Sequence, residues 1–349
     1  MEAVDIAALT GFRIGQVSDQ AAVTGCTVVI CPAGAVAGVD VRGGSPGTRE
    51  TDALHPVMNR RVVHAVLLAG GSAFGLDAAA GVMRDLEERG VGRDVGVTVV
   101  PNVSAAVLFD LAVGRSDVRP DADMGYEACQ RAWAGQAFQS GSHGVGVGAT
   151  VGKSLGLGRA MKGGQGAAAF RQDELLVGAL AAVNCVGDVV VDGRVLAGAR
   201  GPDEAFVDSA EIIAQSYRQR RDLFSGDGPG AEAGRDGGNT VLICLLSNAR
   251  LNKAEATKLA QIGHDGLARR VRPAHSVFDG DTCFALCSGS VDTTLDAVCV
   301  MAAAAVEAAI VDAVVSASGW AGLPAQRDRA FGAETGPAER SSRSDYLST

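Results

Sequence analysis

The amino-acid sequence predicts a globular protein of mixed α and β structure, with strands that are covered on both faces. Short runs of β-branched and apolar residues recur along the 349 residues. Several of them are apolar on both faces, as in strands that are buried on both sides. Between the runs, apolar residues recur at helical spacing. The 47 glycines indicate that backbone segments pack closely against one another.

Seven runs predict strands, and the segments between them predict helices. A helix is expected between Ala73 and Gly90, another over DEAFVDSAEIIAQSYRQRR, and a third after Asn252, where Glu255 completes a capping-box pattern. The strand runs are GCTVVIC near residue 28, HAVLLAG near 66, GVTVVP near 98, ELLVGALAAVN near 179, GDVVVDG near 190, TVLICLL near 243 and CFALCSG near 285.

Composition and charge argue against several classes of protein. The chain has 31 basic and 40 acidic residues, a net charge of −9, and no dense basic block in its main body, so we expect no nucleic-acid partner. The N-terminus lacks the basic start and apolar core of a secretion signal. The longest apolar helix, LDAVCVMAAAAVEAAIVDAVVSA, contains Glu307 and Asp312, which favours a buried core helix over a membrane span. We expect a cytoplasmic protein with no membrane partner.

The eight cysteines lie mostly inside apolar runs, and no CxxC pair occurs. We expect buried, reduced thiols, which is the usual state of cysteine in a cytosolic protein. No metal site and no cofactor are predicted.

Two polar segments mark the limits of the predicted domain. Residues 225–238, SGDGPGAEAGRDGG, contain no large apolar side chain and are predicted to be a flexible linker. The tail of residues 322–349 is rich in Arg and Ser and is predicted to be disordered. Residues 1–321 are then expected to form a single catalytic domain.

Two glycine-rich segments suggest nucleotide binding, but neither has the required spacing. In LLAGGSAFGLD the dinucleotide pattern needs glycine at 70, 72 and 75, and residue 72 is serine. In GVGVGATVGKS the phosphate loop needs glycine at 147, where valine stands. Because converging amides must meet one anion, tight turns are the preferred interpretation. Lys153, among glycines and small residues, remains a candidate for a role in a site.

Polar residues at the ends of strands are the other candidates. Asp279 and Asp281 in FDGDTCF are typical of a turn, but two carboxylates at a strand entrance could also orient an amine and neutralise a lysine. Asn184 interrupts an apolar run. A buried amide is either satisfied by backbone or is a donor to developing negative charge.

The segment GGNTVLICLLSN, residues 237–248, has two interpretations. A glycine turn before a buried strand is the simpler one. In the other, the chain cuts itself between Asn239 and Thr240, and Thr240 becomes an N-terminal nucleophile. None of the five histidines lies in a recognisable nucleophile motif, and a threonine whose own freed α-amine serves as base needs no such motif.

Taken together, these segments resemble the self-cleaving N-terminal-nucleophile hydrolases of the DmpA type. That family includes D-aminopeptidase/esterases, β-peptidyl aminopeptidases and the nylon-oligomer hydrolase NylC. The resemblance runs from about residue 11 to residue 322 without the linker. Seven motifs carry it in order, namely the stretch GQVSDQAAVTGCTVVICPAGAVAGVDVRGGSPGTRETDAL, LLAGGSAFGLDAAAGVMRDLEERG, GVGVGATVGK, GGQGAAAF, VNCVGDVVVDG, GGNTVLICLLSNARL and FDGDTCFAL.

The resemblance implies an α+β fold, a four-layer αββα sandwich. It also implies that Asn239-Thr240 is the autocleavage site, which would give an α-chain of residues 1–239 and a β-chain of residues 240–349. Members assemble as homo-oligomers of αβ units, often tetramers. The implied catalytic residues are Thr240 as nucleophile and α-amine base, Lys153, Asn184, Asp279 and Asp281. We further expect Lys153 to pair with Asp281, so that Asp279 orients Thr240.

The resemblance implies hydrolysis of amide bonds through an acyl-enzyme on Thr240. Thr240 with Asp279, Asp281 and Lys153 is most similar to the pattern of the nylon-oligomer hydrolase, so a 6-aminohexanoate oligomer or another small amide or peptide is the expected substrate. Exo-cleavage by an aminopeptidase and endo-cleavage both stay open. The alternatives are a threonine-nucleophile acyltransferase and, against the spacing, a nucleotide-binding protein of the phosphate-loop kind.

Overall fold

A computed structural model describes residues 1–219 and 238–328. The predicted linker therefore lies outside the described residues except for Gly238, and the predicted tail does so from residue 329. The strands are β1 (Glu2–Val4), β2 (Arg13–Asp19), β3 (Thr24–Val41), β4 (Thr48–Arg49), β5 (Val63–Ala69), β6 (Arg93–Asp94), β7 (Val99–Val100), β8 (Val103–Val107), β9 (Thr150–Val151), β10 (Met161–Lys162), β11 (Gly164–Gln172), β12 (Leu175–Asn184), β13 (Asp188–Val191), β14 (Arg194–Ala197), β15 (Thr240–Ala249), β16 (Val271–Arg272) and β17 (Thr282–Val291).

The long strand β3 connects two packed sheets. Its first part, up to Ile30, pairs with β2 and β5. The pairing register then shifts between Ile30 and Ala35, and Gly34 adopts the left-handed φ of 76°. From Val36 onward β3 pairs with β17. The front sheet is β2-β3-β5-β8-β4, and the back sheet is β1-β11-β12-β15-β17-β3.

Five helices are described, and four of them cover the outer faces of the two sheets. They are α1 (Ala78–Glu88), α2 (Ala122–Trp133), α3 (Ser209–Gln219), α4 (Lys253–Arg270) and α5 (Leu295–Val315). Helices α1 and α2 pack on the front sheet, while α4 and α5 pack on the back sheet. Between the sheets lies a third apolar cluster, which includes Val29, Leu68, Leu242 and Phe284. The result is the predicted αββα order of layers.

The sequence signals for α4 and α5 are confirmed in detail. Asn252 and Glu255 form a reciprocal capping box at the start of α4. In the same helix Gly263 approaches the Cys283 side chain so closely that an added Cβ would lie 2.5 Å from its sulfur. Helix α5 is long and apolar enough to cross a membrane, but 72% of its apolar window is buried inside the protein. This burial makes α5 a core helix, as the sequence predicts.

Two sequence predictions need correction. The run near residue 98 gives only the short strand β7, which pairs with β6 outside the large sheets. The strand that enters the front sheet is β8, since its VSAAV side chains are buried and it pairs in parallel with β5. Residues 322–328, assigned to the tail, pack on the domain: Leu323 is buried, and the Pro324 carbonyl accepts a hydrogen bond from the Lys162 amide at 2.9 Å.

Candidate active site

Thr240 is the first residue of β15, a central strand of the back sheet, between β12 and β17. Its side chain is buried, and so is Asn239 before it. Asn239 bridges to Asp279 just ahead of β17. A Cβ on Gly238 would lie 2.3 Å from the Phe109 side chain, so only glycine fits there. The Asn239-Thr240 bond is therefore buried at the point where the chain enters the sheet.

Two groups converge on the Asn239 carbonyl oxygen. The Thr240 hydroxyl donates a hydrogen bond to it, and the Gly280 amide donates another at 2.7 Å. Glycine is required at 280, because a Cβ would lie 2.6 Å from Thr240 Oγ1 and 2.9 Å from the Ser45 carbonyl. A hydroxyl therefore lies beside the carbonyl, and a backbone donor already polarises that carbonyl.

Asn184 pairs with Thr240 in the β12–β15 ladder and is fully buried. Its Oδ1 accepts from Lys153 Nζ at 2.9 Å and from the Thr150 amide and hydroxyl at 3.0 and 3.2 Å. Its Nδ2 donates to the Phe109 carbonyl at 3.0 Å and more weakly to the carbonyl of residue 238 at 3.4 Å. In the uncut chain Asn184 therefore does not donate to the Asn239 carbonyl, and the backbone donor to that carbonyl is the Gly280 amide.

Lys153 is buried and donates from Nζ to both oxygens of Asn184, at 2.9 Å to Oδ1 and 3.2 Å to the backbone carbonyl. Burial lowers the pKa of Lys153 to about 8, because the charged form loses its hydration, although Cys185 and Asp279 act in the opposite direction. A lysine with this pKa exchanges its proton near neutral pH.

Asp279 is a buried carboxylate with one unused oxygen. Its Oδ2 accepts from the Ser276 amide at 2.8 Å, while its Oδ1 accepts no hydrogen bond from the described residues. Burial, and then repulsion from Asp281, raises the pKa of Asp279 to about 6. The unused oxygen can therefore take a proton or a new donor.

Asp281 is held by a different partner from the one expected. Its Oδ1 accepts from the Val241 amide at 2.7 Å, and its Oδ2 accepts from the His275 amide at 3.0 Å and lies 2.8 Å from His275 Nδ1. The expected Lys153–Asp281 pair is not formed. The negative charge of Asp279 acts to raise the pKa of Lys153. Asp281 thus fixes the backbone next to Thr240.

His275, Gly280 and Thr150 are site residues that the sequence analysis did not select. His275 adopts the left-handed φ of 58°, and its ring meets the His264 ring edge-on at 4.8 Å. No motif marks a histidine that acts by holding a carboxylate six residues later. The only usable signal was the proximity of His275 to the DGD motif in the sequence.

The site brings several reactive side chains and backbone groups together. Within residues 1–219 and 238–328, no group of three or more His, Cys, Asp or Glu side chains is arranged to hold a metal ion. All eight cysteines are free, and all except Cys299 are buried. The arrangement supplies a hydroxyl, a polarised carbonyl, a lysine that titrates near neutrality and two carboxylates.

The chain is similar to known proteins over most of its length. The model of peptidase family S58 matches residues 5–327. An uncharacterized aminopeptidase of Mycobacterium tuberculosis is 43% identical over 330 residues, which cover 88% of this chain and 90% of that protein. A 6-aminohexanoate-oligomer endohydrolase of Paenarthrobacter ureafaciens is 32% identical over 287 residues, which cover 81% and 74%.

Solved structures show the fold. A β-aminopeptidase from a Burkholderia species matches with a TM-score of 0.58 at 21% identity, covering 88% of this chain and 85% of that one. The L-aminopeptidase D-Ala-esterase/amidase of Ochrobactrum anthropi matches with a TM-score of 0.63 at 16% identity, covering 88% and 84%. The latter is described as a variant of the Ntn hydrolase fold, and the αββα sandwich described above is of this type.

Proposed function

This chain belongs to peptidase family S58 and hydrolyses peptide or amide bonds, and we propose that Thr240 is its nucleophile after the chain cuts itself at Asn239-Thr240. One observation carries the proposal. The Thr240 hydroxyl and the Gly280 amide meet at the Asn239 carbonyl, so the bond to be cut is held between an attacking group and an oxyanion donor.

Self-cleavage is the first reaction in which Thr240 and Gly280 act on a carbonyl. Thr240 Oγ1 bonds to the Asn239 carbonyl carbon, its proton passes to the Thr240 nitrogen, and the carbon–nitrogen bond breaks to leave an ester. Water then hydrolyses the ester, which gives a carboxylate on Asn239 and restores the hydroxyl beside a free α-amine. The unused Oδ1 of Asp279 is available to relay the proton.

Turnover repeats the attack on a bound amide. The α-amine of Thr240, with a reference pKa of about 7.7 to 8.0, takes the hydroxyl proton while Oγ1 forms the acyl-enzyme, and the substrate's amine leaves with that proton. Water releases the acyl group. Protonated Lys153 lowers the pKa of the amine, and Asp279 raises it.

The oxyanion donors in turnover are Gly280 and Asn184. The Gly280 amide already points at the reacting carbonyl. Asn184 Nδ2 loses its contact with the Gly238 carbonyl when the cut end of the α-chain moves away, and it is then free to donate to the substrate. Asp281 keeps the strand beside the nucleophile in place through the Val241 amide.

The proposed substrates are small amides, peptides or oligoamides. Support comes from the threonine nucleophile with two following carboxylates and from the similarity to 6-aminohexanoate-oligomer endohydrolases. The similarity to a protein named as an aminopeptidase supports small peptides as well. A panel of D-, L- and β-aminoacyl amides beside a 6-aminohexanoate oligomer separates these, and adding an amine acceptor distinguishes acyl transfer from hydrolysis.

We also propose a cytoplasmic homo-oligomer of αβ units, with four units as the expected number. The free, buried thiols are consistent with a reducing compartment. Size-exclusion chromatography with light scattering measures the number of units directly.

The deciding test is the intact mass of the purified protein beside Thr240→Ala. The unchanged chain is expected to give two polypeptides, the smaller beginning TVLIC, and to hydrolyse at least one amide of the panel. Thr240→Ala is expected to stay full-length and inactive. A parent chain that remains whole, or a Thr240→Ala variant that still hydrolyses amides, would refute the proposal.

A further inference from the structure

Two glycine-rich segments meet at one buried carboxylate, Asp110, which the proposed mechanism does not use. The Gly71 amide donates to its Oδ1 at 2.7 Å, and the Thr24 hydroxyl donates to its Oδ2 at 2.7 Å. A Cβ on Gly70 would lie 2.1 Å from Oδ2, and a Cβ on Gly148 would lie 2.4 Å from the Asp110 Cβ. The glycines are therefore required for this carboxylate to fit.

Lys162 is a second buried charge, and it binds the residue before Gly148, the glycine that packs against Asp110. It is fully buried, and its Nζ donates to the Val147 carbonyl at 2.5 Å. Burial lowers the pKa of Lys162 to about 7, and Asp110 opposes this by attracting the ammonium group. Burial likewise raises the pKa of Asp110, and Lys162 opposes it. Each group thus favours the charged form of the other.

Both charged residues are connected to Asn184 through a short segment that hydrogen-bonds to it. Asp110 follows Phe109, whose carbonyl accepts from Asn184 Nδ2 at 3.0 Å. The Lys162 ammonium holds the Val147 carbonyl three residues before Thr150, and Thr150 donates to Asn184 Oδ1 through its amide and its hydroxyl. The two segments that hold the Asn184 amide are therefore each fixed by one member of the pair.

We propose that Asp110 and Lys162 are positioning residues that jointly orient Asn184, which in the uncut chain pairs with Thr240 and donates to the Gly238 carbonyl beside the bond to be cut; this rests on the proposed function of Thr240. A buried pair of opposite charges can often be replaced as a whole by apolar groups with little loss of stability, so fold stability alone does not require the pair. The orientation of Asn184 does require the pair, because a displacement of about 1 Å in a reacting group can cost about a hundredfold in rate.

The test follows autocleavage of the full chain in cell-free translation after a short radiolabel pulse. The fraction of full-length chain is measured over time for the parent, for Lys162→Met, and for Lys258→Met, an exposed lysine of α4 that serves as control. Lys162→Met is expected to lower the rate constant about tenfold to a hundredfold with the same final cleaved fraction. A misfolded population would instead lower the final fraction and leave the rate constant unchanged.

Asp110→Asn gives a second reading, because it keeps the shape of the side chain and removes its charge. The rate constant for autocleavage is expected to decrease about threefold to tenfold, since the variant loses the charge of Asp110 but keeps the shape of its side chain. If both variants cut within twofold of the parent rate, or if Lys162→Met reduces only the final fraction, the positioning role is refuted. A parent chain that never cuts itself would refute the proposed function instead, so the two failures are distinguishable.

Discussion

The two strands beside Thr240 surround it with different chemistry. On the β12 side, both polar atoms of the Asn184 amide are hydrogen-bonded, and the charge in contact with that amide is the cation of Lys153. On the β17 side lie two carboxylates: both oxygens of Asp281 are hydrogen-bonded, while Oδ1 of Asp279 accepts no hydrogen bond from the part of the chain that the structure describes. One side is thus a fixed scaffold, and the other contains the group that can change its protonation or its partner.

The largest expected effect is on the β17 side. Gly280→Ala keeps the amide donor but places a Cβ 2.6 Å from Thr240 Oγ1, so the hydroxyl must move away from the Asn239 carbonyl. We expect autocleavage to slow at least about a hundredfold, measured as the rate constant for loss of full-length chain.

Gly158→Ala is the matched control, since a Cβ at residue 158 meets nothing within 4 Å. If Gly280→Ala cuts itself as fast as this control, the close approach of residue 280 to the nucleophile has no role in the chemistry.

A smaller effect is expected on the β12 side. Lys153→Met removes the cation that lowers the pKa of the freed α-amine, so a smaller fraction of the amine is neutral at pH 7. Amide hydrolysis by the processed enzyme is expected to fall about tenfold at pH 7 and to recover as pH rises toward 9. The measurement is kcat/KM against pH on the best amide of the panel, with Lys258→Met beside it. An equal loss at every pH would show that Lys153 acts only by holding Asn184.

The smallest effect concerns stability and sharpens the contrast between the carboxylates. Because the folded-state pKa of Asp279 is raised to about 6, the folded chain binds this proton more tightly than the unfolded chain, whose reference pKa is about 3.9. The resulting stabilisation is fully present below pH 4 and is lost as pH rises through 6.

Asp279→Asn mimics the protonated form, so it is expected to raise the free energy of unfolding by about 1 to 3 kcal/mol at pH 7 and to leave it unchanged at pH 4. Both chains carry Thr240→Ala so that neither is cut, and denaturant unfolding supplies the measurement. Equal stabilisation at both pH values would contradict the raised pKa.

The sequence predicted the features that depend on neighbouring residues and missed those that depend on residues far apart in the chain. Local signals such as the capping box of Asn252 and the apolar run after Thr240 were sufficient, because period and capping are encoded in neighbouring residues. Strand β8 was missed, since its small apolar residues resemble the neighbouring run near residue 98, and the neighbouring strand β5 decides which of the two joins the sheet.

In the site, residue types were predictable and partners were not. Lys153 was assigned to Asp281, yet the structure gives Asp281 to His275, because the left-handed turn at His275 brings both its amide and its ring to that carboxylate. A backbone donor such as the Gly280 amide cannot be recognised from residue type, because every residue except proline has one. The glycine itself was visible, but the carbonyl that it contacts becomes known only once β15 and β17 are aligned.

The position of Thr240 in the sheet has a consequence for the two chains that self-cleavage would produce. In the order β12-β15-β17-β3, the strands β15 and β17 of the new chain lie between strands of the old one. The two polypeptides could separate only by breaking the hydrogen bonds between these strands, so they would stay associated although no peptide bond joins them. Refolding after denaturation becomes a bimolecular encounter, and recovery of activity should depend on protein concentration, whereas the uncut Thr240→Ala chain refolds as one molecule.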